Sequence, residues 1–333
     1  MNIQSRFTTS DRHKSHFLTA GPESGTPIIF VHGWPELSIS WRHQLPHFAE
    51  QGYRTIAPDM RGYGESDVYP THAAYAQREV VADMLELVDA LGIERAVWVG
   101  HDWGCATVWQ IARHHSDRCL AIANLCVPYY TIEAGWEGLL PYVDRERYPE
   151  DEYPAGQWEY QRYYEENFAE ATAAFDAHPA RMAALLFRKG SPDGQGQIAG
   201  TALTRKQGGW FGGGEVPDMP RDADVLSEAD LQRYADALST NRFFGPDSYY
   251  MNHTDNAAYT AEAHTHGLEM PVLFLHARYD YTCETIHSRA AVPMRRYCAD
   301  LKEKVVDSGH WMAQEKPGEV NAHLTDWLRE QVK

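Results

Sequence analysis

The chain has 333 residues, 43% of them from the apolar set, which is enough to bury a sizeable core as one large domain or two. A formal net charge of −17 at pH 7, with no basic stripe to offset phosphate repulsion, argues against nucleic acid as a partner. Residues 1–14 are polar without an apolar leader core, and no apolar run reaches spanning length, so a soluble chain with no membrane partner is expected.

The N-terminal stretch is weakly patterned up to a turn cluster at 20–25. A first buried strand is predicted over 27–31, ending in His32-Gly33-Trp34-Pro35, and a second over 53–57, leading into a loop at 58–66. A helix follows from about 75 to 91, with Val80, Val81, Met84, Leu85, Val88 and Leu91 at helical spacing and Gly92 as its stop. Residues 96–99 form a short apolar strand that breaks at Gly100, and helical spacing resumes through Ala106, Val108, Ile111 and Ala112. Another strand covers 119–125. Near-continuous apolar strands alternating with helices predict an α/β protein whose mostly parallel central sheet is flanked by helices.

That rhythm stops at Val127-Pro128. From 129 to 267 the composition shifts to Tyr, Trp, Ala, Glu and Gly, with helical patterns and almost no strand. Ser227 stands in capping-box spacing to Asp230, Leu226 can staple onto Leu231, and 189–220 reads as long loops. Strands resume at 271–275 and 304–306, and a last helix starts near Pro317. The organisation implied is a core domain, residues 1–128 and 268–333, interrupted by a helical lid, residues 129–267. An insert placed after a strand's C-terminal end lies over the edge of the sheet where ligands bind. The five cysteines, Cys105, Cys119, Cys126, Cys283 and Cys298, have no CxxC spacing, which predicts buried free thiols and a reducing cytoplasm.

The chemistry centres on Gly100-His101-Asp102-Trp103-Gly104, a strand, a tight turn and a helix start. Glycines two residues either side of Asp102 let the backbone turn sharply and lift its carboxylate above the helix N-terminus. A carboxylate attacking saturated carbon forms an alkyl ester that water can cleave, where a serine would form an inert ether. Asp102 is therefore a candidate nucleophile, the bland alternative being a helix-capping aspartate. The strand at 271–275 leads to Asp280 and the strand near 306 leads to His310, giving the order nucleophile, acid, histidine. Asp300 and Asp307 compete with Asp280, but the first precedes a strand and the second sits very close to His310. Backbone N–H groups of Trp34 and Trp103 are the expected oxyanion donors.

The chain resembles the epoxide hydrolases of the α/β-hydrolase superfamily, especially the soluble type, through His32-Gly33-Trp34-Pro35-Glu36, residues 59–66, residues 100–104, Asp280 and Ser308-Gly309-His310-Trp311. The resemblance implies an α/β-hydrolase fold, conversion of epoxides to vicinal diols through an alkyl-enzyme ester, and no metal or organic cofactor. It also implies two lid tyrosines on the epoxide oxygen, placed at Tyr160 in Trp158-Glu159-Tyr160-Gln161 and Tyr250 in Phe244-Gly245-Pro246-Asp247-Ser248-Tyr249-Tyr250; Tyr163, Tyr164 and Tyr249 are near competitors. Trp136, Trp158, Phe187, Trp210 and Trp311 are candidate pocket aromatics, suited to a small apolar epoxide that reacts with water. A homodimer is compatible with this reading. Haloalkane or haloacetate dehalogenases use the same Asp-His-Asp set, and Trp103 beside the nucleophile gives that alternative some support; a non-catalytic receptor on this fold is a second alternative. His264 and His266 lack further metal ligands nearby, residues 208–214 lack the lysine of a phosphate loop, and Arg295-Arg296 reads as a solvated helix face.

Overall fold

Eight strands make one sheet in the computed structural model of the protein, which describes residues 2–264 and 266–332; Met1, Thr265 and Lys333 lie outside the described residues. The strands are β1 (Gln4–Thr9), β2 (Lys14–Ala20), β3 (Pro27–Val31), β4 (Arg54–Pro58), β5 (Ala96–His101), β6 (Cys119–Leu125), β7 (Leu268–Ala277) and β8 (Cys298–Val306). Their order is β1-β2-β4-β3-β5-β6-β7-β8. β1 with β2 and β2 with β4 are antiparallel; every other pair is parallel. All six residues of β5 are buried, as a central strand covered on both faces requires.

The apolar runs find β3 and β6 to the residue, whereas β1 and β2 were unforeseen. β1 is an edge strand exposed along nearly all its length, so no buried face imposes a period on its sequence. β7 begins earlier than predicted, with the exposed Glu269 interrupting its apolar run, and β8 does so because this exposed edge strand carries charged residues through its middle, Asp300, Lys302, Glu303 and Lys304. Helices Gln77–Ala90 and Trp103–His114 bury apolar stripes against the sheet, and Pro317 occupies the first turn of the helix Pro317–Gln331. Among the described residues no strand lies between Leu125 and Leu268; that stretch is helices and loops. Its helix Glu228–Asn241 is capped as expected, with the Ser227 hydroxyl accepting the Asp230 N–H at 3.1 Å. The five cysteines are buried and free, and among the described residues no helix is long and apolar enough to cross a membrane.

The loop after β4 joins sheet to insert. Arg61, 2% exposed, donates through Nε and Nη2 to both oxygens of Asp83 at 2.5 and 2.7 Å, and its carbonyl accepts the Tyr249 hydroxyl at 3.1 Å. A buried guanidinium without its counter-ion is costly. Asp83→Ala is expected to lose about 3–5 kcal/mol of unfolding free energy, read from the urea midpoint, whereas Glu330→Ala, which breaks an exposed pair with Lys302, leaves the midpoint in place.

Candidate active site

Strand order reverses between β3 and β5, which opens a crevice at their carboxyl ends. The loops leaving these two neighbouring strands carry Trp34 and Asp102. Asp102 itself takes the strained conformation, φ 51° and ψ −124°, at a cost of about 1–3 kcal/mol. The cause lies in its neighbours. A Cβ on Gly104 would stand 2.1 Å from the Val31 carbonyl oxygen, and one on Gly100 would stand 2.7 Å from the Gly104 carbonyl oxygen. The helix Trp103–His114 thus packs closer to the sheet than any side chain permits, and the chain reverses at Asp102.

The Asp102 carboxylate accepts the Trp34 backbone N–H through Oδ1 at 2.6 Å, and its Oδ2 lies 3.6 Å from His310 Nε2. The Trp103 N–H, the second expected donor, makes no hydrogen bond to this carboxylate among the described residues. His310 Nδ1 is 2.6 Å from Asp280 Oδ2, while Asp280 Oδ1 accepts the N–H groups of Thr282 and Cys283 at 3.1 and 2.9 Å. The competing acids are elsewhere: Asp307 pairs with Arg278, and Asp300 is in β8 opposite Pro271. Burial opposes charge on His310, yet Asp280 and Asp102 outweigh it and hold the imidazole well above its ordinary value. Burial likewise opposes the Asp280 anion, which His310 nevertheless holds below the usual carboxylate range.

A second buried ion pair supports the first. His101 Nδ1 is 2.6 Å from Glu36 Oε2, and its Nε2 donates to the His310 carbonyl at 2.7 Å. Burial would lower His101, but the Glu36 charge and hydrogen bonds raise it to about 10; Glu36, against its own burial, is drawn down to about 2. The pair is therefore charged near neutrality, and it fixes the backbone of the catalytic histidine candidate. Cys126 Sγ donates to the same carbonyl at 3.2 Å. Sequence reasoning assigned no role to His101 or Cys126 and used Glu36 only as a motif residue. The available signal was a histidine adjoining the nucleophile.

Tyr160 and Tyr250 come together from distant parts of the insert, their rings 5.4 Å apart and edge to face. Both are buried, and burial raises both phenols above their ordinary value, so each keeps its proton. Of the competitors, Tyr249 is occupied with the Arg61 carbonyl, Tyr163 lies 3.4 Å from the Gly208 carbonyl, and Tyr164 stacks on the Tyr250 ring at 4.9 Å.

A cavity of about 470 Å³ reaches Asp280 and His310 and has walls from Trp34, Phe175, Met182, Leu185, Trp210 and Phe211. Among the five predicted pocket aromatics only Trp210 forms part of that wall, brought in by the glycine-rich loop and lying 5.6 Å from the Tyr160 ring. The other four are absent from that lining, as are Asp102, Tyr160 and Tyr250. Trp136 is covered by Arg162 at 3.7 Å and donates to Glu165. Trp158 is buried outside the wall. Phe187 is sandwiched between Tyr234 and Trp311, and Trp311 meets the His310 ring edge-on at 4.6 Å, so these two prop the histidine. His266 bonds Arg113, and among the described residues no metal-ligand cluster includes it or His264.

Comparison with known proteins agrees with this geometry. The alpha/beta hydrolase fold family matches residues 26–317. Epoxide hydrolase A of Mycobacterium tuberculosis is 32% identical over 93% of this chain and 92% of its own length. Bifunctional epoxide hydrolase 2 of Sus scrofa is 30% identical over 94% of this chain, which spans about half (53%) of that protein. Among solved structures, Epoxide Hydrolase A from Mycobacterium thermoresistibile superposes with a TM-score of 0.80 at 28% identity, covering 98% of both chains. With a buried aspartate at the sheet's reversal, a histidine held by a second acid and these relatives over more than nine-tenths of its length, the chain belongs to the epoxide hydrolases of the α/β-hydrolase fold family.

Proposed function

We propose that the protein hydrolyses small apolar epoxides to vicinal diols through an alkyl ester on Asp102, with residues 129–267 acting as a lid over a core of 1–128 and 268–333. The observation that carries this reading is the meeting of two proton-bearing phenols, Tyr160 and Tyr250, above the crevice that holds Asp102 and His310. The phenols hydrogen-bond the ring oxygen, and Asp102 attacks a ring carbon. The C–O bond breaks, its electron pair goes to oxygen, and one tyrosine supplies the proton. With Asp102 esterified, His310 releases its proton to solvent, to regain it when the Asp102 anion returns; oriented by Asp280, it then takes a proton from water, and the hydroxide adds to the Asp102 ester carbon. The Trp34 N–H holds the resulting oxyanion. Collapse releases the diol alkoxide, which takes the His310 proton, and the proton left on the regenerated Asp102 returns to the tyrosinate. Epoxide plus water gives diol, and every group is restored. The five buried thiols support a cytoplasmic setting, and the reading requires no nucleic acid, metal or organic cofactor. Dehalogenation is favoured by one observation, the buried Trp103 indole N–H without a hydrogen-bond partner, a halide-sized donor. Trp34 offers no second donor, because its indole is bound to Asp247 at 2.8 Å.

A single turnover in heavy-oxygen water is expected to leave the first diol unlabelled, since its new oxygen comes from Asp102; label in that diol would contradict the ester route, and halide released from haloalkanes with no diol from epoxides would move the protein to dehalogenation by the same ester. Tyr160→Phe and Tyr250→Phe are each expected to lower the alkylation rate about 10²-fold while leaving the triad's geometry intact.

The buried charges also set a pH response. In the free enzyme both Asp102 and Asp280 hold the His310 proton; once Asp102 is an ester, one of those anions is gone and the imidazole pKa falls. Ester hydrolysis in single-turnover pH profiles should therefore rise with pH through a pKa lower than the one His310 shows by NMR in the free enzyme. Equal values would refute this account.

A further inference from the structure

Asp247 is 0% exposed, on the short helix Phe244–Ser248 of the insert. Its Oδ1 accepts the Trp34 indole N–H at 2.8 Å and its Oδ2 accepts the Thr172 hydroxyl at 3.0 Å. Each partner belongs to a different part of the site. Trp34 comes from the loop after β3, gives its backbone N–H to Asp102 and forms cavity wall with its ring. Thr172 is in the stretch Glu159–Asp176, beyond a break at Asn167 (φ −139°, ψ 43°) that separates it from the helix carrying Tyr160 and Tyr164. Asp247 itself stands three residues before Tyr250, whose ring meets the Trp34 indole edge-on at 6.1 Å. One carboxyl thus ties together the oxyanion loop, the helical piece that continues from one phenol's helix and the segment of the other phenol.

We propose that Asp247 is a positioning and specificity-determining residue, which clamps the Trp34 indole to the insert and so sets the cavity wall and the seat of the Tyr250 ring relative to Asp102. The reading rests on epoxide hydrolysis as set out above. An apolar side chain at this position would fill the space but leave the indole N–H buried without an acceptor, at a cost of ordinary magnitude for an unsatisfied donor. Relief comes from rotation of the indole, which moves the wall against which an epoxide leans. Burial pushes the Asp247 carboxyl up to about 8, with Asp176 adding to it and the donors Trp34, Thr172 and Tyr164 opposing it. Near neutrality the group carries a proton and needs no counter-ion in this aromatic layer.

The test compares wild type, Asp247→Leu, Asp247→Asn, Trp34→Phe and the Leu/Phe double variant with an aryl epoxide, reading KM, kcat and the ratio of attack at the two ring carbons. Asp247→Leu is expected to raise KM about tenfold and shift the attack ratio. Asp247→Asn, which keeps an acceptor for the indole, should stay near wild type. Trp34→Phe keeps the backbone donor but loses the indole N–H, so it should mimic Asp247→Leu, and the double variant should be no worse than either. A merely structural role would lower the active fraction, hence apparent kcat, with KM and attack ratio unchanged; that result, additive effects, or Asn behaving like Leu overturns the proposal. If Asp247→Leu fails to fold, Trp34→Phe must still shift KM and attack ratio and Asp247→Asn must not. Independently of turnover, the Trp34 indole N–H resonance, identified by its loss in Trp34→Phe, should move in Asp247→Leu and hold in Asp247→Asn. A wild type that forms no diol removes the underlying reading, while the indole resonance still decides whether the clamp exists.

Discussion

The rest of the structure depends on one steric constraint, the contact of the helix Trp103–His114 with β3. With Gly104 pressed on the Val31 carbonyl, the turn between β5 and the helix has no slack, and Asp102 absorbs the reversal at a positive φ. A carboxylate on a relaxed turn would follow its rotamers and its solvation. Here the strain leaves its Oδ1 on the Trp34 N–H and its Oδ2 facing His310. Turns anchored at the ends of β5 and β8 thus hold the proposed nucleophile and its base within a few ångström before any ligand arrives.

Such a site concentrates charge where water is scarce. Glu36, Asp102 and Asp280 are each at most 7% exposed, and isolated buried carboxylates would take up protons. The chain interleaves two histidines among them: His310 between Asp280 and Asp102, and His101 between Glu36 and the His310 carbonyl. The Glu36–His101 pair is therefore more than local bookkeeping. It fixes the main chain of His310, so the imidazole's direction is set from behind by one ion pair and from the side by Asp280. Pairing, with every remaining lone pair satisfied, is what makes a buried charge tolerable.

What was legible in the sequence follows from how local each signal is. β3 and β6 were found to the residue because a strand buried on both faces must be apolar throughout, and that is a property of five to seven consecutive residues. β1 escaped because an exposed edge strand obeys no such rule, and β8 was cut short by charges that its exposed face tolerates. The same divide runs through the site. Asp102, Asp280 and His310 each follow directly on a strand, so strand ends located them. Trp136, Trp158, Phe187 and Trp311 lie outside the lining of that cavity, because which side of a helix or loop faces a cavity is decided by partners elsewhere in the chain, such as Arg162 above Trp136. His101 with Glu36, 65 residues apart, and Asp247 with Trp34, 213 apart, are invisible for the same reason.

The division of labour between the layers has a chemical logic. In the proposed mechanism ester formation and ester cleavage share Asp102, but they need opposite things: a proton delivered to the ring oxygen in the first, and a proton removed from water in the second. One group tuned for both would do neither well, because a strong acid is a weak base. The sheet supplies the base, an imidazole whose proton affinity depends on the charge of Asp102 and so changes as the ester forms. The insert would supply the acids, phenols that burial keeps protonated. Since the two sets sit on separate layers, their relative placement is the quantity the fold must control. The contacts between layers are accordingly polar and directional, Tyr249 to the Arg61 carbonyl and Asp247 to the Trp34 indole, where apolar packing alone would allow the insert to slide.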